Sequence, residues 1–287
     1  MNDLSAKSIK PIKPSDGNRP WACCSVRAGL STVSLSARQV FDGGILCVAG
    51  EYLVRFIQFV MLILVWKSLA GHGVSLSGMT MAQLLTYTLM SSVFHQQLDI
   101  ISPATSSLWE GSIIGRYLRP FPVIGSFVAE TIGRWWIPVF LFYGLPLWCL
   151  APLLGVSPLP ASLRHGCLAG ISLVLSASLG FAIDLLFAAL AIRLKNGCWA
   201  VTHIRESIYA LLSGELIPFA LFPWGLGNLF SLTPFGSIAH APLTIYVGLS
   251  PSPLKTLGIQ LAWNVVLWRL AILVFHKSEE RMISYGG

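Results

Sequence analysis

Apolar runs of about 20 residues recur along this chain, separated by short segments rich in Gly, Pro, Ser and basic side chains. Runs of that length match the thickness of a hydrocarbon layer rather than the one-sided stripe of a soluble helix or the alternation of a half-buried strand. They predict spans at residues 45–66, 81–101, 135–154, 168–194, 206–222 and 257–275. The fold class expected is an all-α, polytopic integral membrane protein with six transmembrane helices. Residues 21–41 mix small, polar and apolar side chains at near-helical spacing and predict an N-terminal interfacial helix. Residues 1–20 read as a flexible cytoplasmic tail, without the apolar core of a cleaved signal, and residues 21–287 as one transmembrane domain. Residues 223–253 contain no Asp, Glu, Lys or Arg but carry Pro234, Pro242 and Pro251, which predicts a re-entrant outer hairpin before the last span.

The polar positions inside the apolar runs are the informative ones. In the second expected span, Thr88, Ser91, Ser92, His95 and Asp99 recur at spacings of three and four, with Gln83, Gln96 and Gln97 beside them. Such a stripe has to face other helices or a wet cavity, because lipid offers it no partners. In the fifth, Ser213-Gly-Glu-Leu-Ile-Pro-Phe-Ala-Leu-Phe-Pro223 combines one carboxylate, a Gly and two prolines. A lone carboxylate at mid-membrane costs about 2.5–3.5 kcal/mol on insertion scales, so Glu215 is expected to face protein or water. The prolines free backbone carbonyls that a wet cavity or a neighbouring helix must satisfy. Ser213, Glu215 and Pro218 therefore join Thr88, Ser91, Ser92 and His95 as candidates to line a path. The competing reading is a kinked helix whose Glu is satisfied by packing. Glu51 and Arg55, four residues apart in the first span, read as a structural ion pair.

Composition and charge sharpen this picture. Hydrophobic residues make up 54% of the 287 and charged ones 11%, against about 25% in soluble proteins. Lys67, Arg164 and Lys255 fall on one set of alternate connections and Arg55 and Arg269 within spans, while the other fourteen of the nineteen Lys and Arg fall on the opposite set. By the positive-inside rule both termini and the connection at 102–134 are cytoplasmic. The net charge of +7 is thus topological, and no nucleic acid is implied. The long 102–134 connection predicts a short helix from Glu110 to Pro120, with Glu110 at its N-terminal end and Arg116 and Arg119 in its last turns. The six cysteines include no C-x-x-C pair and imply no metal site; Cys149 with Cys167 is the one disulfide to weigh.

No Gly-Lys-Ser/Thr stands anywhere in the chain, so it has no phosphate-binding loop of its own and is expected not to be an enzyme. Two other classes stay open: an ion-coupled secondary carrier exchanging protons at Glu215 and Asp184, and a membrane-embedded enzyme using Glu215, Asp184 and His95.

The order of spans, the cytoplasmic loop ending in Leu118-Arg119-Pro120 and the fifth span running into a Pro-rich hairpin resemble the permease subunit of type 2 ABC exporters. Ser213, Gly214, Ile217, Pro218, Phe222 and Pro223 match the motif of a bacterial subgroup. Pro234 and Phe235 follow Thr233 where that subgroup has Leu; Pro242, Gly248, Gln260, Trp263, Gly286 and Gly287 complete the pattern. The likeness covers residues 25–287. It implies a bacterial inner-membrane protein that pairs with a second permease, the same or a homologous chain, and with ABC ATP-binding subunits that carry the ATP and magnesium. It further implies a central path lined by the second and fifth spans. The expected Glu110–Pro120 helix, with its apolar strip and charged flanks, reads as a dock for the ATP-binding partner, with ATPase coupling through Glu110, Arg116 and Arg119. No cofactor is expected in this chain itself, and the lipid bilayer is its solvent.

Overall fold

A computed structural model describes residues 21–39, 44–71, 78–109, 112–119, 121–194 and 198–284. The expected tail at 1–20, Glu110, Pro120 and the terminal Gly286 and Gly287 lie outside the described residues. All regular structure among the described residues is helical. The first helix, α1 (Trp21–Gln39), is followed by α2 (Ile45–Gly71) and α3 (Met81–Leu98). Short helices α4 (Ala104–Trp109) and α5 (Ile113–Tyr117) lead into a continuous helix, α6 (Val123–Leu154). Next come α7 (Leu163–Arg193), α8 (Cys198–Leu212), the small helices α9 (Leu226–Ser231), α10 (Pro234–Ile238) and α11 (His240–Val247), and finally α12 (Pro253–Ser284).

Four of these are long and apolar enough to cross a membrane: Val48–Gly71, Val123–Leu154, Leu163–Ala191 and Pro253–Ser278. The chain is a multi-pass membrane protein. The other two expected spans form helices but differ from expectation. α3 has 18 residues and carries the polar stripe. α8 stops at Leu212 after 15 residues, ten short of the expected end at 222, because Ser213 and Gly214 break it, the latter at φ +72°. The expected loop at 102–134 is also corrected. It is shorter, and from Val123 onward it is already the start of α6.

Within α6 the sequence explains the local geometry. Pro138 and Pro146 lack the N–H groups that would bond to the carbonyls of residues 134 and 142. The helix answers with two wide π segments, Ile132–Trp136 and Phe140–Gly144, each containing one of those carbonyl-bearing residues. α1 lies against the first of these. A methyl group on Gly133 would stand 2.4 Å from the Val33 carbonyl oxygen, so only glycine lets the two backbones meet.

The core is built on α3 and α7. Leu84, Tyr87, Leu89 and Leu98 of α3 are fully buried, and α3 packs against α2, α6, α7 and α11. α12 packs along α7 through a polar seam. Gln260, wholly buried, accepts from Ser172 Oγ at 2.7 Å and donates to the Ser237 carbonyl at 2.6 Å, while Asn264 donates to the Leu175 carbonyl at 3.0 Å. Side-chain amides suit this role in lipid, where helix association has no hydrophobic driving force. α2 is the outlier. Phe59, Ile63 and Trp66 are buried, but Leu53, Val54, Ile57, Met61 and Leu64 are at least half exposed. Glu51 and Arg55 on α2 form the expected ion pair at 2.8 Å. Cys149 and Cys167 are free thiols.

Candidate functional site

The break after α8 is held in place by α3. Tyr87 donates its hydroxyl to the Gly214 carbonyl at 2.6 Å, and Ser91 Oγ donates to the Glu215 carbonyl at 2.9 Å. His95, one further turn along α3, donates from Nδ1 to Glu215 Oε1 at 2.5 Å. From the other side the His240 N–H donates to the Ser213 carbonyl at 3.0 Å, and Nδ1 of His240 lies 3.4 Å from the Tyr87 hydroxyl. Ser213 Oγ accepts from the Glu215 N–H at 3.1 Å. The carbonyls of Ser213, Gly214 and Glu215, at the break, thus find donors within the protein, the kind of partner a non-helical segment in a membrane requires. The following turn is seated by Phe219, whose ring packs on His240 at 4.4 Å between centroids and on Phe222 and Phe230 at 5.8 Å. Gly214 has to be glycine twice over, for its φ and because a Cβ would meet the Phe219 ring at 2.9 Å.

Two cavities flank this segment. One, of 710 Å³, lies between α2, the Leu98 end of α3 and α8. Ser91, Ser92, His95, Asp99 and Glu215 line it together with Arg55, Gln58, Tyr143, Glu206 and Tyr209, opposite the apolar wall of Phe59, Leu62, Val65 and Leu216. The other, of 660 Å³, lies at the Met81 end of α3 under the small helices. Tyr87, Pro218, Phe219, Asn228, Ser231 and His240 line it. Residues 213–218 form the partition between the two.

The sequence-derived residues distribute over this geometry as follows. Ser91, Ser92, His95 and Glu215 converge on the first cavity. Pro218 lines the second. Thr88 and Ser213 reach neither: Thr88 is buried and donates to the Leu84 carbonyl, and Ser213 is the buried cap of the partition. Tyr87, Tyr209 and His240 escaped notice in the sequence. Tyr87 stands four residues before Ser91, so the polar stripe extends one step further than its obviously polar members. His240 is the lone histidine within the stretch 223–253, which has no Asp, Glu, Lys or Arg.

Asp184 stands apart from both cavities. It accepts from the Ser102 N–H at 3.2 Å and from Ser102 Oγ, and Arg205 Nε lies 3.7 Å away. Arg205 also donates to Asp99 at 2.7 Å and to the Ile100 carbonyl. One buried guanidinium therefore joins α8, α7 and the end of α3. Arg205, one of the fourteen basic residues that the charge count assigned to the cytoplasmic side, is the centre of the cluster.

Of the expected coupling residues, Arg116 is engaged within the chain. Its guanidinium meets Glu130 at 2.7 Å, Ser126 Oγ at 3.3 Å and the face of Phe127 at 4.8 Å. Arg119 is exposed and lies two residues beyond α5, which among the described residues covers only Ile113–Tyr117 of the expected 110–120.

The site thus combines a paired acid and base, a half-apolar cavity and a braced segment that lies between two cavities. Against models of known families, residues 56–286 match the ABC-2 family transporter proteins. The chain belongs to this family. It is accordingly an ABC transporter permease, the membrane component of such a system. Comparison with curated proteins finds no match.

Proposed function

We propose that this ABC-2 permease forms the translocation path of an ATP-driven bacterial exporter, pairs with a second permease, and uses residues 213–218 as the gate between an inner and an outer cavity. In this reading six helices cross the bacterial inner membrane, α3 and α8 included, with both termini cytoplasmic and residues 226–247 folded back as a re-entrant outer hairpin. ATP binding by separate subunits, which hold the nucleotide and magnesium, moves α5 and the Arg119 corner. The buried Arg205, Asp99 and Asp184 cluster passes that motion to α8 and so to the partition. The observation that carries the reading is the pair of cavities meeting at one non-helical segment that α3 and α11 hold by hydrogen bonds. The first cavity's mixture of polar side chains and apolar wall favours an amphipathic cargo.

The test needs no knowledge of cargo. Single cysteines at Ser92 and Asn228, in a variant without native cysteines, report on the two cavities. In the assembled transporter, trapping the ATPase with ATP and vanadate should lower maleimide reactivity at 92 and raise it at 228. Unchanged reactivity in a trapped complex would refute the gate. An ion-coupled carrier using Glu215 and Asp184 would instead show the exchange under a pH gradient without the ATPase. The separation of Asp184 from Glu215 counts against that alternative.

A further inference from the structure

A third cavity lies on the opposite side of α3 from Ser92 and His95, and it has a different chemistry. Its volume is 380 Å³. Met90, Val93 and Phe94 of α3 form one wall, and Phe140, Leu145 and Trp148 of α6 a second. Gly166, Ala169 and Gly170 of α7 supply a third, of nearly bare backbone, and Pro242 and Tyr246 of α11 a fourth. Phe94 and Phe140 stack at 5.8 Å at its floor, beside the π segment Phe140–Gly144. The only side-chain donors on the walls besides the Cys149 thiol are already used. Trp148 Nε1 and the Tyr246 hydroxyl both donate to the Pro158 carbonyl, at 3.2 and 2.6 Å, which clips the 155–162 turn across one end. A void with such walls does not hold water.

Its mouth opens between α6 and α7. Cys149 and Gly170 there are exposed, Leu145 is 45% exposed, and the flanking surface of Leu141, Phe142, Ile171 and Val174 is at least half exposed and wholly apolar. In a multi-pass membrane protein that surface meets hydrocarbon. The occupant that fits is a slender aliphatic chain, and the bilayer presents one at the mouth. We propose that this cavity holds one acyl chain of a bilayer phospholipid, entering between α6 and α7 at Cys149 and Gly170. Moving a methylene from lipid to this site gains no hydrophobic energy. The gain is dispersion contact, which walls facing an empty void forfeit. Because Met90 and Val93 are neighbours of Ser91 and Ser92 on one helix, the lipid would brace α3 from behind while the candidate path lies in front.

The test uses the full-length permease in nanodiscs of phosphatidylcholine carrying a diazirine midway along one acyl chain. After photolysis, adducts mapped by mass spectrometry should be several-fold more abundant on the walls at 140–149 and 166–173 than on the exposed α2 face at Leu53, Val54 and Met61. Gly170→Phe places a ring in the mouth, and a Cβ at Gly170 meets no atom within 4 Å, so the side chain leaves the backbone without a clash. That variant should bring the wall adducts down to the α2 level and leave the α2 adducts unchanged. Should Gly170→Phe fail to accumulate, alkylation of Cys149 with a bulky maleimide, in folded protein whose other cysteines are Ser, blocks the same mouth and should have the same effect. Adducts spread evenly over both surfaces, or wall adducts that persist with the mouth blocked, would overturn the proposal.

Discussion

Arg205→Met is the perturbation whose cost the structure defines best. The side chains of Arg205, Asp184 and Asp99 are 6%, 4% and 16% exposed, so water screens them little. Methionine keeps an unbranched apolar stem and loses the charge and the donors. Removing one partner of a buried ion pair leaves the other uncompensated and costs about 3–5 kcal/mol. Here two carboxylates lose their common cation at distances of 2.7 and 3.7 Å, and the Ile100 carbonyl loses a donor. Asp184 keeps both hydrogen bonds from Ser102, which holds the expected loss within that range rather than above it. Neutralising the whole cluster should be far milder, since a buried ionic group replaced by neutral groups of similar volume is often tolerated. Arg205→Met is therefore expected to destabilise the protein by about 3–5 kcal/mol, and Arg205→Met with Asp99→Asn and Asp184→Asn to recover most of that loss. Equilibrium unfolding in mixed micelles of detergent and dodecyl sulfate measures both. If the single variant lies within about 1 kcal/mol of the parent, or the triple variant is no better than the single, the cluster is not the buried ionic hub described here.

Further expectations follow from other contacts. Gln260→Leu should cost about 1–3 kcal/mol in the same assay, because the Ser237 carbonyl and the Ser172 hydroxyl lose a buried partner. Gly133→Leu should detach α1 from α6, read as faster proteolysis within residues 21–39, since its Cβ alone would overlap the Val33 carbonyl. Arg119→Glu should reduce co-purification of the ATP-binding subunit without loss of folded permease, whereas Arg116→Glu should lower the folded yield itself by setting a carboxylate against Glu130. For topology, His72→Cys and Pro160→Cys in a variant without other cysteines should react with an impermeant maleimide in intact cells and Glu280→Cys should not. The reverse pattern would refute cytoplasmic termini.

What the sequence determined by itself is whatever depends on the chain's partition between water and hydrocarbon. Run length and composition suffice to identify a helical multi-pass protein, because a membrane admits few ways to satisfy a backbone. The three- and four-residue spacing of Ser91, Ser92, His95 and Asp99 placed those side chains on one face, and the cost of a lone carboxylate in lipid required a partner or water for Glu215. Both follow from local geometry and solvation, and both were legible before any contact was known. Tertiary structure alone decided which partner each group takes. That Glu215 meets His95, that Asp184 belongs to Arg205 and Ser102 rather than to the path, and that Arg116 is held by Glu130 are contacts between residues 14 to 120 positions apart. Spacing along one helix carries no information about the helix that faces it. The end of α8 at Leu212 shows the same limit. The apolar run continues to Phe222, but Tyr87, Ser91 and His240 offer the freed backbone groups better partners than another helical turn would, and those donors come from α3 and α11.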